Sequence, residues 1–248
     1  MKNLTLAWYL ALNDMQFRYA RSFIGPMWVA LQMAIFVMTL GFVLSEVHGA
    51  PIRTFIPFFA VSLLFWTFLS SSINEGMESL QAGASLIKDR GIRPIVPVLQ
   101  AVLRNLLIAF HCLIVPVAVL VWFGAGSLKG LAMALPGAAV FVAITTLMTL
   151  CVAGLGVRYR DIRRIIETLM LLGFLATPIL WEPGVLRSSG SYVLTLNPFA
   201  HLFAIWREPL LNGHFPVTSF IVCLAILVLV GLGAKFAHRW MRNAVFWL

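Results

Sequence analysis

The stretch FIPFFAVSLLFWTFLSSS, residues Phe55 to Ser72, contains no Asp, Glu, Lys or Arg. A helix rises about 1.5 Å per residue, so a run of this length comes close to crossing the ~30 Å hydrocarbon layer of a bilayer. The 248-residue chain is 61% hydrophobic and its mean hydropathy is +0.95, which is more apolar surface than a soluble domain can bury. The sequence predicts an integral membrane protein built from α-helices, because backbone exposed to lipid must satisfy its own hydrogen bonds.

Six apolar runs predict six membrane spans. They lie at residues 26–44, 55–72, 97–123, 131–157, 165–181 and 217–236. An even number of spans puts both termini on one side of the membrane. Fourteen of the 18 Lys and Arg residues fall on that side, so the positive-inside rule predicts that both termini are cytoplasmic.

The most charged stretch, VRYRDIRRIIE at residues 157–167, carries four arginines between two of these runs. Basic residues beside spans set the topology and lie among anionic lipid headgroups. The same explanation accounts for the net charge of +9, so no nucleic-acid partner is expected. The three cysteines, Cys112, Cys151 and Cys223, fall inside predicted helices without the spacing of metal ligands, and no metal site is predicted.

Two segments on the cytoplasmic side are amphipathic. Residues 4–22 place apolar side chains at helical steps and end at Gly25-Pro26, which predicts a helix lying in the membrane interface; a soluble cap over the loops is the alternative. Residues 73–94 mix apolar and charged side chains and end in Gly91 and Pro94, which predicts a short helix parallel to the membrane rather than a passive loop.

The region after the fifth run is unusual for a loop. The fifth run is short and contains Pro178, and the apolar stretch that follows is broken at Asn197-Pro198, so neither half of it can span a bilayer. We predict two short helices on the outer side, near 183–187 and 198–211, that dip back toward the membrane and gate an exit.

Five motifs, in this order along nearly the whole chain, resemble the permease subunit of ATP-binding-cassette exporters of surface polysaccharides. The resemblance is strongest to the O-antigen type, with teichoic-acid and capsule exporters as relatives. The motifs are RYARSFIGPMW (18–28), INEGMESL (73–80), RYRDI (158–162), TPILW (177–181) and LNPFAHLFAIWREPLLNG (196–213).

The resemblance implies a multi-pass protein of the bacterial inner membrane that moves lipid-linked polysaccharide, most closely O-antigen, to the periplasm. Two copies of the permease would form a homodimeric channel, and two separate ATPase subunits would bind ATP and Mg²⁺. The fold implied is all-α: one permease domain over 1–248 with six transmembrane helices, an interface helix, a cytoplasmic coupling helix and two short periplasmic re-entrant helices. The chain has no G-x-x-x-x-G-K-[ST] sequence and no nucleophile with a positioned base, so we expect neither an enzyme nor a bound cofactor.

The resemblance also implies roles for particular residues. The ATPase-coupling residues would be Gln81, Leu86, Ile87, Lys88, Asp89 and Arg90. The periplasmic gate would comprise Pro183, Asn197, Pro198, Arg207 and Glu208.

Chemistry suggests two further sets of residues for a lipid-linked glycan. Guanidinium groups bind pyrophosphate oxygens in pairs, and the arginines at the predicted cytoplasmic mouth are Arg18, Arg21, Arg158 and Arg160. Aromatic rings offer flat, sequence-tolerant surfaces to sugars, although in membrane helices they also serve as lipid-facing belts or in packing. The candidate channel-lining rings are Trp28, Phe36, Phe59, Trp66, Phe174 and Trp181.

Two other classes of protein stay possible at this point: a secondary transporter and a membrane enzyme. An ion-coupled secondary transporter needs ionisable groups near the bilayer midplane, and the candidates are Glu75, Arg104, His111 and Glu167. His111 is also explained as a packed, hydrogen-bonded side chain. A membrane enzyme acting on glycosyl lipids would need acidic or metal-binding loops.

Overall fold

The computed structural model describes residues 2–20, 22–159, 161–185 and 191–241, and no β-strand occurs in these ranges. The described residues form eleven α-helices and one 3-10 turn at Pro183–Val185. The helices are α1 Lys2–Tyr19, α2 Met27–His48, α3 Ile52–Ala82, α4 Ala84–Lys88, α5 Ile95–Cys112, α6 Ile114–Phe123, α7 Leu128–Gly156, α8 Ile162–Ala176, α9 Ser191–Leu196, α10 Pro198–Asn212 and α11 Val217–Met241.

Five segments of the described chain are long and apolar enough to cross a membrane: α2, α3, α5 together with α6, α7, and α11. Each corresponds to one of the predicted spans. The third span is interrupted at Leu113, three residues before Pro116, because proline has no N–H to donate to the carbonyl of Cys112. The architecture is a bundle with α3 at its centre: 72% of the most apolar stretch of α3 is buried, against 11% for α11.

The fifth predicted span, 165–181, is wrong in its extent. Helix α8 ends at Ala176, and Thr177 is extended (φ −89°, ψ 141°) because a residue before proline disfavours the α conformation. Its 15 residues measure about 22 Å, which is too short to cross the hydrocarbon layer. Trp181 therefore lies in an irregular segment, where its indole N–H donates to the carbonyl of Leu175 at 3.0 Å.

The short helix predicted within 73–94 is present only over part of that range, as α4, and its orientation parallel to the membrane stays a prediction. Helix α3 continues past Ser72 to Ala82, and only the five-residue α4 follows it. The continuation is stabilised by packing, since Ile73 and Leu80 are buried and Gly76 has no side chain to keep α7 away. A β-carbon on Gly76 would collide with Thr149 of α7.

The helix predicted near 198–211 is confirmed as α10. The Asn197 side chain caps its start by accepting from the N–H of Phe199 at 2.9 Å, and Gly213 ends it with φ 65°, which a glycine adopts without strain. The other predicted short helix, 183–187, is a 3-10 turn over Pro183–Val185, and the rest of that range lies outside the described residues. Helix α9 has no counterpart among the predicted helices.

Helix α10 runs antiparallel to the first half of α7. Gly130 and Gly137 of α7 face backbone carbonyls of Pro209 and Ile205 on α10, so the two backbones touch without intervening side chains. The first turn of α10 lies beside the middle of α3, where the rings of Phe199 and Trp66 are 6.0 Å apart. From there α10 rises to the end of the bundle at which α3 begins.

The bundle therefore has two functionally distinct ends: the Ile52 end, where α3 begins, and the Ala82 end, where α3 stops. Helix α1 packs on α5 at the Ala82 end through Ala7, Ala11 and Met15. Its larger apolar side chains, such as Leu4 and Trp8, point away from the bundle and stay exposed. An exposed apolar stripe at the end of a membrane bundle fits the predicted interface helix.

We expect Gly137→Ala to lower the free energy of unfolding by about 1–3 kcal/mol, because the added methyl group collides with the carbonyl of Ile205 and forces the two helices apart. Thermal unfolding of the detergent-purified protein measures this. Gly231→Ala on α11 is the matched control, since the nearest atom to its added carbon is 3.9 Å away and alanine is the better helix former. Equal stability of the two variants would contradict the close packing of α7 and α10.

Candidate functional site

A polar cavity of about 420 Å³, the Ala82 cleft, opens between α1, the last turns of α3, α4 and the start of α5. Its polar walls come from three separate parts of the chain. The charged residues that line it are Asp14, Arg18, Glu75, Glu78 and Arg104. Gly83 lies at its base, where a β-carbon would stand 2.6 Å from Pro97, so a glycine is needed for α3 to stop this close to α5.

Arg104 joins the three helices around the cleft. Its guanidinium pairs with Asp14 of α1 and donates to Oε2 of Glu75 on α3 at 2.6 Å. The side-chain amide of Asn105 donates to the same Glu75 oxygen at 2.8 Å. The Arg104 side chain is only 13% exposed, whereas those of Asp14 and Glu75 are 31% and 30% exposed, so a largely buried guanidinium ties the interface helix to two spans through partly exposed carboxylates.

The ionisable groups that an ion-coupled transporter would need are occupied in other ways. Glu75 and Arg104 neutralise each other, and Glu167 is paired with Arg163. His111 Nδ1 lies 2.7 Å from the carbonyl oxygen of Leu107 in the same helix, which is the packed, hydrogen-bonded arrangement. These contacts leave the secondary-transporter reading without a free acidic side chain among its candidates.

The predicted coupling residues form a short anchored tip at the Ala82 end. Ile87 is buried against Leu80 and Val98, and Leu86 lines the Ala82 cleft. The remaining four residues are exposed; they are Gln81, Lys88, Asp89 and Arg90. The buried Ile87 side chain fixes this segment against the bundle, and the neighbouring charged side chains remain exposed to solvent.

Of the four predicted headgroup arginines the structure describes Arg18 and Arg158, and these two do not line one pocket. Arg18 lines the Ala82 cleft, whereas the guanidinium of Arg158 lies over the rings of Tyr159 and Trp240, 5.2 and 5.1 Å from their centroids. Arg158 thus packs beside the end of α11. Arg21 and Arg160 lie outside the described residues.

The six candidate channel-lining rings differ in exposure. Phe59 is fully buried and Trp66 is 7% exposed, and they pack against Phe36 and Phe174 with ring centroids 6.1 and 5.4 Å apart. Trp28 and Phe36 on α2 are 51% and 45% exposed. Of these rings, the α2 pair offers an open face, while Phe59 is enclosed in the core. The lining of a channel by these rings stays a prediction.

The predicted gate residues fall into two groups along α10. Asn197 and Pro198 stand at its start, where the Asn197 amide donates to the Ala176 carbonyl at 3.1 Å and so holds α10 against the end of α8. Arg207 and Glu208 lie about three turns later, near Pro183 at the Ile52 end. The gate prediction therefore covers both ends of one helix.

Arg207 is the most buried charged residue described, with 4% of its surface exposed. Its Nη1 donates to the Pro178 carbonyl at 2.5 Å and to the Ser62 hydroxyl at 3.2 Å, and its guanidinium lies 4.2 Å from the centroid of the Phe58 ring. Desolvation by burial lowers the pKa of Arg207 to about 10, and nearby carboxylates act in the opposite sense. The side chain is still positively charged at neutral pH.

Sequence reasoning missed most of these contacts. Glu75 and Arg104 stood out as ionisable residues beside apolar runs, but their pairing links positions 29 apart and includes Asp14, which carried no signal of its own. Arg207 was predicted at the gate, yet its bonds to Ser62 and Pro178 depend on three segments meeting.

Replacing Arg104 tests the network around the Ala82 cleft. We expect Arg104→Gln to lower the free energy of unfolding by about 1–3 kcal/mol and to expose α1 to proteolysis, because the largely buried guanidinium that joins α1, α3 and α5 is lost and two partly buried carboxylates lose their cation. Arg163→Gln is the control: Arg163 also bridges two carboxylates, but it is 56% exposed and water screens its pairs. Thermal unfolding and limited proteolysis measure both, and an equal loss in the two variants would show that the Arg104 network has no special structural role.

The chain is similar to named permeases over most of its length. Two proteins from Klebsiella pneumoniae, each named O-antigen export system permease protein RfbA, are 27% identical over 227 residues, which cover 89% of this chain and 86% of each relative. A protein of the same name from Myxococcus xanthus is 26% identical over 242 residues, or 96% of this chain and 89% of that relative. No protein-family profile matches the chain. These relatives confirm the resemblance that the motifs carry, to the permease subunit of an ATP-binding-cassette polysaccharide exporter.

Proposed function

We propose that this chain is the channel-forming permease of an ATP-driven exporter that moves lipid-linked O-antigen from the cytoplasmic to the periplasmic side of the bacterial inner membrane. The observation that carries the proposal is the similarity to O-antigen export permeases over 89% to 96% of the chain. Two copies form the channel, and two ATPase subunits that bind ATP and Mg²⁺ drive it. Both termini and the Ala82 end face the cytoplasm, in keeping with the distribution of basic residues.

Deletion of the gene tests this function directly. Cells without it are expected to lose O-antigen from their surface and to accumulate lipid-linked glycan at the inner membrane, and both effects reverse when the gene is restored. Unchanged surface O-antigen in the deletion strain would contradict the proposal. If teichoic acid or capsule disappears instead, the exporter type stands and the choice of glycan is wrong.

The Ala82 cleft and the α4 tip, which we define as α4 with Asp89 and Arg90, are the proposed docking surface for the ATPase. The cleft is polar and open, and the α4 tip presents exposed charges beside the buried side chain of Ile87. The Arg104 network supports coupling, because a force applied by the ATPase to α1 or to the end of α3 would reach two spans through partly buried, hydrogen-bonded contacts. The motor and the channel are thus joined at this end.

Charge reversal in the α4 tip tests the docking. Lys88→Glu and Arg90→Glu are expected to reduce co-purification of the ATPase and to abolish export, while the permease itself remains folded because both side chains are exposed. Lys235→Glu on α11 is the control, since it changes an exposed lysine toward the same end of the bundle outside the α4 tip. Wild-type association and export by the Lys88 and Arg90 variants would refute the assignment.

The headgroup of the lipid-linked substrate is proposed to meet arginines at the Ala82 end. Arg158 is exposed and its guanidinium is already oriented by two aromatic rings, which reduces the freedom lost on binding a pyrophosphate. Arg158→Ala is expected to weaken the stimulation of the ATPase by lipid-linked substrate several-fold. Stimulation equal to that of the wild type would count against this role.

The proposed periplasmic gate comprises the irregular stretch 177–182, the turn at Pro183–Val185, and helices α9 and α10. Helix α8 is too short to cross the membrane, and α10 begins beside the middle of α3 and ends at the Ile52 end. Non-helical backbone at such depth is stable only against protein or a water-filled cavity. Here α3 and α7 supply that protein surface, and Arg207 satisfies the Pro178 carbonyl.

A further inference from the structure

A second cavity lies at the Ile52 end, far from the Ala82 cleft. This Ile52 pocket has a volume of about 540 Å³ and is bounded by the first turns of α3, residues 182–184 and the last turns of α10. The volume falls in the range of small-ligand sites in proteins. Arg53 in the pocket and Glu78 in the cleft are 25 positions apart on α3, so the two cavities are separated by about 38 Å.

Both signs of charge occur in the walls of the Ile52 pocket. Arg53 and Arg207 supply two cations, and Glu182 and Glu208 supply two carboxylates. Among the described residues, neither carboxylate has a hydrogen-bond donor or an ion-pair partner within 4 Å, and the guanidinium of Arg207 has no carboxylate at that distance. The pocket therefore holds acceptors that its own walls leave unused.

The buried guanidinium of Arg207 keeps its positive charge at the wall of this pocket. A buried guanidinium loses much of its hydration, and here a carbonyl, a hydroxyl and an aromatic face stand in for water. These neutral partners position Arg207 without cancelling its charge. The cation is thus fixed at the wall of a cavity rather than locked in an ion pair.

The balance of charges indicates which ligand the pocket suits. Two arginines and two glutamates sum to no net charge, so neither a polyanion nor a cation is favoured. A sugar presents hydroxyl groups, each both a donor and an acceptor, around a ring with apolar C–H faces. Carboxylates accept from hydroxyls, guanidinium groups donate to them, and Pro51, Pro183 and Leu211 in the pocket wall offer apolar surface.

We infer that the Ile52 pocket binds sugar units of the exported glycan as they leave the channel. The inference rests on the proposed function, which supplies the glycan, and goes beyond it by assigning a carbohydrate subsite to Arg53, Glu182, Arg207 and Glu208. A site at this end holds the emerging chain after it has passed the length of α3.

Photo-crosslinking in exporting cells tests the pocket with the natural glycan as the probe. A photoreactive amino acid at Asn212, an exposed residue of the pocket wall, is expected to form adducts that run as a high-mass ladder and disappear on periodate oxidation. The same amino acid at Lys129, exposed near this end but outside the pocket, is the control and should give several-fold less. Equal labelling at the two positions, or an adduct with the mass of a phospholipid, overturns the inference.

A second variant separates binding from folding. Glu208→Gln keeps the shape of the side chain and removes its charge, and we expect it to reduce the Asn212 adduct several-fold at an unchanged level of membrane-inserted permease and bound ATPase. Full labelling in this variant counts against the pocket.

The deletion strain distinguishes failure of this inference from failure of the proposed function. Loss of surface glycan on deletion, together with no glycan adduct at Asn212, overturns the pocket and leaves the exporter function in place. Surface glycan that survives deletion overturns the proposed function and the pocket with it.

Discussion

The contact between α3 and α7 is the interaction on which the rest of the structure depends. Gly76 on α3 and Gly156 on α7 remove side chains at the points where the two helices meet, so that Met77 and Thr149 pack directly against the opposite backbone. Lipid offers no hydrophobic drive for helices to associate, so close packing of this kind has to stabilise the bundle. The buried Thr149 hydroxyl at the contact bonds within its own helix, where it donates to the Thr145 carbonyl at 2.8 Å.

Because α3 is held along its whole length, it connects two very different surfaces. At the Ala82 end it contributes Glu75 to the Arg104 network, and at the Ile52 end it contributes Phe58 and Ser62 to the surroundings of Arg207. Each of these arginines is shielded from solvent, and each joins segments from at least two other parts of the chain. Most of α3 between these two ends is buried, so the helix links the two sets of contacts through the core of the bundle.

The guanidinium groups of Arg104 and Arg207 have different kinds of partner. Arg104 is paired with two carboxylates and links α1, α3 and α5. Arg207 is surrounded by neutral groups and keeps its charge beside a cavity. The same type of side chain is thus paired with carboxylates at one end and surrounded by neutral groups at the other.

The apolar runs were sufficient to determine a helical membrane protein, because their length and lack of charge leave no other way to satisfy the backbone. Pro178 and Asn197-Pro198 likewise marked the points where helices must stop, and the motifs were sufficient for the relationship to O-antigen permeases. Tertiary structure alone decided that α3 continues to Ala82, because the burial of Ile73 and Leu80 exists only when α7 is beside them. It also decided the partners of Arg104 and Arg207, which lie 90 and 145 positions away along the chain at Asp14 and Ser62, since a hydrogen bond depends on distance in space.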